Sequence, residues 1–390
     1  DCFVHLALAK DAFIVLEVDD ERCQAAALVG ELQRLQRLGE QWDLNRCAVL
    51  ARQWNELDAI RSACEAAGVQ VCLHWRRSSF PGLHRIRECA RLLDELSRQR
   101  GGLLDGSGLL ALLPEDAATD TLWQANLRRL LAEWIEETGG LAQPVRQIEE
   151  HLYESLAEQK RARSLGHGLL LTTAHSAKGL EFDHVFVLAG WPGASAESEA
   201  EEERRLYYVA LSRARETAQV FRFKGQANVH ADLLKGVHCI RREPVATATS
   251  VDFCRYSLLG NKELDIDFAG RLGLRSRQRL ALERARPGDA VELEETDGQI
   301  FLVSQNVRIG RLSRQATPCW RRRLPRIVAA RIVAVCRRSR ADVDDPQFLA
   351  RCQGEWWETL GVVDVGDPQF LARCQGEWWE TPLIEVREIG

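Results

Sequence analysis

Two short segments of the 390-residue chain hold side chains that could bind a phosphorylated ligand. The first, residues 173–187, reads TAHSAKGLEFDHVFV and lies between apolar runs. Gly179 lets the backbone approach a ligand closely. Thr173 and Ser176 can donate to phosphate oxygens, and Glu181 can accept from a ribose hydroxyl. A buried strand with a solvated polar loop would explain an isolated Ala-Lys-Gly equally well, so this segment alone predicts no site.

The second segment, residues 201–215, reads EEERRLYYVALSRAR. As a helix it places Leu206, Ala210 and Arg213 on roughly one stripe and delivers one arginine where an apolar face ends. A salt-bridged surface helix would explain its charged start. The two segments in this order, about thirty residues apart, are much more specific than either one alone.

Alternating strands and helices surround these segments and would position them. The sequence predicts strands at 12–16, 47–51, 69–73, 169–173, 185–188 and 219–223, with helices at 21–38, 56–67 and 201–214. A strand-helix-strand order of this length implies a parallel sheet. Because ligands bind at the carboxyl edge of such sheets, we expect the loop after residue 173 to lie there.

Two further regions differ in character from this α/β pattern. Helical periodicity runs through 86–96, 117–138 and 143–162, which predicts a helical insertion in the α/β domain at about 82–165. Beyond about residue 245, apolar runs flank an Asp297-Gly298 turn, the pattern of a β-hairpin. The predicted fold is therefore a parallel-sheet α/β domain with a helical insertion, followed by a small β-rich domain.

Three segments together resemble superfamily 1 DNA helicases of the UvrD/PcrA/Rep type. Residues 172–187 and 201–215 look like motifs V and VI of that family, and residues 47–52 resemble its motif IVa. The similarity covers roughly residues 10–240. It implies that the α/β unit is the second RecA-like domain, with a P-loop NTPase-like fold, and that the insertion is a shortened 2B subdomain. The expected domains are 1–81 and 166–244 (RecA-like domain 2A), 82–165 (2B-like insertion) and 245–390 (β-rich basic domain).

The resemblance also implies roles for individual residues on the nucleotide side. Glu181 matches the motif V glutamate that contacts the ATP ribose, next to Gly179. Arg213 matches the motif VI arginine that reaches the γ-phosphate across a domain cleft, and it is the expected catalytic residue. An arginine supplied across a cleft compensates phosphate charge only when the cleft closes, so hydrolysis would be tied to domain closure.

On the DNA side, the resemblance points to four residues. Arg52, Thr173, His175 and Ser176 fall where the family contacts single-stranded DNA or couples it to the nucleotide. The implied partner is single-stranded or partly duplex DNA, and the implied activity is that of an ATP-dependent 3′-to-5′ helicase or translocase.

The sequence departs from the family in the parts that hold ATP. No Gly-x-x-x-x-Gly-Lys-Ser/Thr occurs around any of its six lysines, so a Walker A motif is absent. No Asp-Glu pair ends an apolar strand, and the adenine-stacking Asn-Tyr-Arg-Ser element is missing. We therefore expect a separate N-terminal RecA-like domain to hold ATP and Mg²⁺. The chain alone is predicted to have no ATPase activity.

An arginine-rich run lies near the C-terminus. Residues 308–340 contain eleven arginines and no acidic residue, whereas the whole chain has a net charge of −5. Such a local excess suits a phosphate-binding surface. Trp320 beside Arg321, Arg322 and Arg323 adds an aromatic ring that could stack a base. A β-barrel whose outward positions happen to be arginine is the alternative.

Composition argues against a disulfide framework, a metal site and a membrane span. Twelve cysteines are scattered without ligand spacing, which favours reduced thiols in the cytoplasm over a disulfide framework or a metal site. No apolar stretch is long enough to cross a membrane. Residues 345–359 recur unchanged at 367–381, and the chain has no methionine. Identical copies suggest a recent duplication, to which no function is given.

Three other functions stay open. A helicase-nuclease of the RecB/AddA kind would need paired acids and a catalytic lysine, but Lys262 is the only lysine after residue 240 and lacks that setting. A non-catalytic DNA-binding or regulatory module is disfavoured because Glu181 and Arg213 are both present. A composite helicase, with a RecQ-like motor upstream and this unit appended, is compatible with the sequence.

Overall fold

The structure, a computed structural model, describes residues 13–38, 42–74, 80–114, 120–162, 164–191, 197–235, 239–244, 252–339 and 378–389. Contacts divide the chain into two compact units. The first unit comprises residues 1–74, 164–255 and 390, and the second unit comprises residues 75–163 and 256–389.

Helices and strands alternate in the first unit and are segregated in the second. In chain order, the α-helices of the described residues are α1 (Glu21–Leu38), α2 (Leu57–Ala66), α3 (Arg87–Arg98), α4 (Gly106–Leu110), α5 (Leu122–Glu137), α6 (Val145–Ala162), α7 (Glu197–Leu211), α8 (Val229–Asp232), α9 (Arg277–Arg284) and α10 (Thr317–Arg321). The strands are β1 (Phe13–Val18), β2 (Cys47–Ala51), β3 (Leu73–His74), β4 (Leu103–Leu104), β5 (Gln143–Pro144), β6 (Ser164–Leu165), β7 (Leu170–Thr173), β8 (Phe182–Val187), β9 (Ala214–Phe223), β10 (Cys239–Arg242), β11 (Cys254–Leu259), β12 (Glu292–Thr296), β13 (Gln299–Ser304), β14 (Val307–Arg311), β15 (Ile327–Ser339) and β16 (Trp378–Ile389).

The first unit is built on a six-stranded sheet in the order β10-β1-β9-β8-β2-β7. Every neighbouring pair of strands in this sheet is parallel. The carboxyl ends of the strands therefore meet at one edge, the carboxyl edge, and their starts meet at the opposite edge, the amino edge. The α/β fold class predicted from the sequence is confirmed.

Both faces of this sheet are buried, which explains why its strands are continuous apolar runs rather than alternating ones. Along β2, Val49 packs in a core that includes Leu28 of α1 and Ile60 of α2. Leu50 packs in a second core that includes Ala210 of α7. Helix α7 is thus fixed to one face of the sheet by its apolar stripe.

Local sequence patterns located most elements of the first unit but not all of them. Helix α1 and strand β2 have the predicted bounds. The predicted strand at 69–73 is wrong, because only Val71 bridges to Leu169 and β3 pairs with β6 outside the main sheet. The helix predicted to run to residue 214 ends at Leu211, because Ala214 already begins β9 and pairs with Phe182 of β8.

The second unit has a core between two three-stranded antiparallel sheets, β11-β16-β15 and β12-β13-β14. A bridge between Ala290 and Arg331 links the sheets. The predicted hairpin is confirmed: β12 pairs with β13 around Asp297 and Gly298, whose φ angles are 50° and 74°. Positive φ at both turn residues is the geometry that Asp-Gly favours.

Helices of the insertion belong to this second unit. The indole Nε1 of Trp123 in α5 donates to the Val333 carbonyl of β15 at 2.9 Å, and Trp123 is completely buried. The Arg87 guanidinium of α3 donates to the Ala285 carbonyl at 2.7 Å and lies 3.6 Å from the Glu380 carboxylate of β16. The sequence suggested an insertion and a separate C-terminal domain, whereas contacts group both in one unit.

The end of the duplicated segment contributes to the core of the second unit. Residues 378–381 begin β16, and Trp379 is buried with its Nε1 donating to the Ile266 carbonyl at 2.9 Å. The first copy, at 345–359, and the start of the second lie outside the described residues. The second copy therefore supplies packing, at least through its last residues.

Gly168, just before β7, allows a test of how tightly this part of the first unit is built. Its φ is +121°, and an added Cβ would lie 2.4 Å from the Gln70 carbonyl oxygen. We expect Gly168→Ala to lower the free energy of unfolding by about 2–3 kcal/mol, because the conformation is strained for alanine and backbone must shift. Gly225→Ala is the matched control: its φ is +73° with no atom within 4 Å, so about 1 kcal/mol is expected. Equal losses in urea denaturation would contradict the packing argument.

Two general properties of the described residues bear on the class of protein. No helix in this part of the chain is long and apolar enough to span a membrane. All nine cysteines that the structure describes are free thiols, and most of them are buried or partly buried.

Candidate nucleotide and DNA sites

The four residues assigned to DNA by resemblance lie together at the carboxyl edge. Ala51 pairs with Thr173 at the ends of β2 and β7. Arg52 is the next residue after Ala51, so it lies close to Thr173. The Thr173 hydroxyl lies 3.2 Å from the Ser176 hydroxyl, and the Ser176 amide donates to the Thr173 carbonyl at 2.9 Å. His175 is exposed in the same turn. A polar corner therefore forms at the ends of two adjacent strands, in which His175 is exposed, Arg52 and Ser176 are half-buried, and Thr173 is buried.

Arg52 is held at this corner by two glutamates that sequence reasoning did not single out. Its amide donates to Glu56 Oε2 at 3.0 Å. Its guanidinium donates through Nε and Nη2 to both carboxylate oxygens of Glu203 in α7, at 2.6–3.0 Å. This hydrogen bonding to Glu203 raises the pKa of Arg52. Because Glu203 is 151 residues away along the chain, no local pattern could reveal the pair.

An aromatic cluster supports helix α7 near this corner. The Trp191 and Tyr207 rings meet edge to face at 4.8 Å between centroids, and Tyr207 stacks on His230 at 5.0 Å. Burial raises the pKa of the Tyr207 phenol and lowers that of His230. At neutral pH both rings are uncharged. The cluster therefore packs α7 against the segment after β8 and against α8.

The two nucleotide-side residues lie together at the amino edge. Glu181 directly precedes β8 and Arg213 directly precedes β9, and the Phe182 amide donates to the Arg213 carbonyl at 2.9 Å. The Arg213 guanidinium donates to the carbonyls of Val209 and Leu180, each at 3.0 Å. The loop before Glu181 and the end of the motif VI segment are thus joined by direct hydrogen bonds.

Glu181 is positioned by an arginine that the sequence did not identify. Arg215 donates to Glu181 Oε2 through Nε at 2.9 Å and Nη2 at 2.6 Å. A β-bulge between Phe182 and His184 of β8 gives β9 one extra residue at this point. Bulges re-aim side chains, and this one lies where Arg215 turns toward Glu181.

The expectation that the whole loop after residue 173 lies at the carboxyl edge is wrong for Glu181. Residues 174–181 run from the end of β7 to the start of β8, and these strands are parallel to their shared neighbour β2. The loop must therefore return to the amino edge. A four-residue strand spans about 13 Å. Thr173 and Glu181 therefore lie at opposite ends of the strands, on the two edges of the sheet.

The donor set at the amino edge fits part of ATP. Glu181 has one carboxylate oxygen beyond the one that Arg215 engages, which suits a ribose hydroxyl. Gly179 has φ +87° and no atom within 4 Å of an added Cβ, so there is open space beside its backbone. Arg213 offers a guanidinium for phosphate oxygens. Among the described residues no group of three or more His, Cys, Asp or Glu side chains is arranged to hold a metal ion.

In the second unit, Trp320 is not placed to stack a base. It is 3% exposed in the core, with the Arg323 guanidinium 3.7 Å above its ring centroid. Arg323 is paired with Glu388 and donates to the Ser257 hydroxyl at 2.6 Å. Arg321 donates to Glu295 at 2.6 Å, whereas Arg322 is exposed. The sequence correctly found a cluster of arginines, but it could not show that the tryptophan points inward.

Acidic residues from distant parts of the chain neutralise much of the arginine-rich run. Arg331 pairs with Glu385 at 2.7 Å across β15 and β16. Further pairs within the second unit join Arg311 to Asp265 and Arg337 to Asp94. The excess of eleven positive charges along the sequence therefore does not become an equally strong patch on the surface.

Comparison with known proteins agrees with the motifs. Residues 110–220 match the family model of the UvrD-like helicase C-terminal domain. A DNA helicase II from Rickettsia typhi is 30% identical over 124 residues, which are 29% of this chain and 18% of that protein. A probable DNA helicase II homolog from Rickettsia conorii is 31% identical over the same shares of the two chains. The chain thus spans less than a fifth of the length of these relatives.

A solved structure also matches. The C-terminal domain of a possible DNA helicase from Lactobacillus plantarum WCFS1 aligns over 62% of this chain and 95% of its own, with a TM-score of 0.29 and 13% identity. The family match covers the segments that resemble motifs V and VI. Residues 110–220 therefore match the UvrD-like helicase C-terminal domain family, as those two motifs predicted.

Proposed function

We propose that this chain is the C-terminal motor portion of an ATP-dependent 3′-to-5′ DNA helicase or translocase. The observation that supports the proposal is that the two sets of residues lie at opposite edges of one sheet. Glu181 and Arg213 meet at the amino edge, and Arg52, Thr173, His175 and Ser176 meet at the carboxyl edge. One rigid sheet would then join a nucleotide half-site to a DNA track.

The proposed half-site needs a partner domain. Glu181 would contact the ATP ribose and Arg213 the γ-phosphate, while a P-loop from a separate RecA-like domain would hold the phosphates and Mg²⁺. ATP supplies the driving force for closure of the two domains when it is bound. A UvrD-like motor or a composite, RecQ-like motor would serve equally, provided that its P-loop meets the amino edge.

DNA binding by the chain itself tests the carboxyl edge. We expect fluorescence anisotropy to show binding of a labelled single-stranded oligonucleotide, and Arg52→Gln to weaken it about tenfold through loss of one charged hydrogen bond. The salt slope should fall by about 0.7, the value for one phosphate contact on a single strand. Thermal unfolding must be followed in parallel, because Arg52→Gln leaves Glu203 without its partner.

Arg215→Gln is the matched control for this experiment. It removes the same charge, but at the amino edge, where Arg215 pairs with Glu181. DNA affinity should therefore stay within about twofold of the parent, since charges separated by more than a Debye length of about 10 Å are largely screened. Equal losses for the two variants would reduce the result to a general charge effect, and no loss for Arg52→Gln would refute the proposed DNA track.

A further inference from the structure

We infer that Glu203 is a positioning residue that competes with DNA phosphate for Arg52, and that helix α7 transmits this exchange to Arg213. The inference rests on the proposed function, because it assumes that Arg52 meets DNA. It adds a residue, Glu203, that the motif comparison did not assign. It also gives a physical route between the two edges of the sheet.

The geometry of the pair sets up competition for one side of the Arg52 guanidinium. Glu203 occupies the Nε–Nη2 side of the Arg52 guanidinium with both of its carboxylate oxygens. That side is one of those through which a guanidinium binds a phosphate with two parallel hydrogen bonds. Arg52 keeps a quarter of its side-chain surface exposed, whereas Glu203 is 12% exposed. A phosphate can therefore reach Arg52 from solvent, while Glu203 faces it from the protein side.

Electrostatics favour the same conclusion. The carboxylate of Glu203 cancels the charge of Arg52 where the corner would need to attract a polyanion. The Arg52 backbone does not need Glu203 for its position, since its amide is bonded to Glu56 Oε2. Glu56 in turn lies against Gly190, where an added Cβ would come 3.1 Å from its Oε1. The side chain of Arg52 can thus exchange partners while its backbone stays in place.

Helix α7 connects this exchange with the amino edge. From Glu203 to its last residue, Leu211, the helix extends about 12 Å. Arg213 follows two residues later, and its Nε donates to the Val209 carbonyl of the helix at 3.0 Å. A small shift of α7 along the sheet would therefore displace the Arg213 guanidinium directly. Glu203 lies within this helix, and Arg213 is bonded to its last turn through the Val209 carbonyl.

The test compares two neighbouring glutamates. Glu203→Gln removes the competing charge but keeps a hydrogen-bond acceptor for Arg52, whereas Glu202→Gln removes the same charge from an exposed position of the same helix. In anisotropy titrations with a single-stranded oligonucleotide, we expect Glu203→Gln to tighten binding about fivefold and to steepen the salt slope. Glu202→Gln should change affinity less than about twofold, as expected for an exposed charge.

Two outcomes would overturn the inference. One is an affinity for Glu203→Gln that is equal to or weaker than that of Glu202→Gln. The other is a fivefold gain that persists when Arg52→Gln is added, because the gain must act through Arg52. If Arg52→Gln itself has no effect on DNA binding, the proposed function fails; if only Glu203→Gln has no effect, the inference alone fails.

Hydrogen exchange on the unsubstituted chain provides a readout that needs no variant of Glu203. Addition of the oligonucleotide should change the exchange rates of amides at 205–213, and this change should be lost in Arg52→Gln. Unchanged rates at 205–213 on saturation with DNA would contradict transmission through α7, whatever the affinity data show.

Discussion

Arg213→Ala should lower the kcat of DNA-stimulated ATP hydrolysis by about a thousandfold or more in the full-length protein that joins this chain to a P-loop domain. An arginine that meets the γ-phosphate across a cleft stabilises charge that develops in the transition state, so its loss acts on kcat rather than on nucleotide binding. In the structure Arg213 is bonded to the carbonyls of Val209 and Leu180, which places its guanidinium at the amino edge.

Three controls make this result specific. Arg205→Ala removes an exposed ion pair with Glu201 on the same helix and should leave kcat within about twofold, since such pairs contribute about 1 kcal/mol or less. Arg213→Lys keeps the charge without the planar fork and should recover only a small part of the activity. The present chain alone should show no ATP turnover. Activity of Arg213→Ala within tenfold of the parent would rule out the catalytic role.

Trp123→Ala should lower the free energy of unfolding of the second unit by about 3–5 kcal/mol. Trp123 is completely buried, lies 5.9 Å from the Phe80 ring centroid, and donates its indole Nε1 to the Val333 carbonyl. Alanine would leave a cavity of side-chain size and an unpaired carbonyl of β15. Urea denaturation followed by far-ultraviolet circular dichroism measures the loss.

Trp123→Phe separates the two contributions to this loss. Phenylalanine keeps most of the apolar contact but cannot donate, so we expect a loss of about 1–2 kcal/mol. The Arg52-dependent part of DNA binding should be retained in both variants under native conditions, because Arg52 belongs to the first unit. A loss below 1 kcal/mol for Trp123→Ala would show that the helices of the insertion are not held by this contact.

Local patterns were sufficient where a segment's structure depends on its own residues. Helix α1 and strand β2 have the predicted bounds because an apolar stripe at helical spacing and a short apolar run are both readable within one segment. The Asp297-Gly298 hairpin follows from the φ angles that these residues accept. The match of residues 110–220 to the UvrD-like helicase family was also readable, because the two motifs occur in a fixed order.

Local patterns failed where pairing with a distant segment decides the outcome. Residues 69–73 have the composition of a strand, but they do not add a strand beyond β7, the last strand on that side of the main sheet. An isolated bridge joins Val71 to Leu169, just before β7. Helix α7 ends before Arg213 because β9 must begin in register with β8. Trp320 was expected to stack a base beside three arginines, but its side chain is buried in the core of the second unit.

The sequence by itself therefore determined the α/β class, the resemblance to UvrD-like helicases and the residues that this resemblance assigns to ATP and DNA. Tertiary structure alone decided that Glu181 and Arg213 share the amino edge while Arg52 and Thr173 share the opposite one. Side-chain type and spacing are local quantities, whereas the edge of a sheet is set by strand direction. Tertiary structure also brought Glu203 to Arg52 across 151 residues, because charge pairing depends on distance in space and not along the chain.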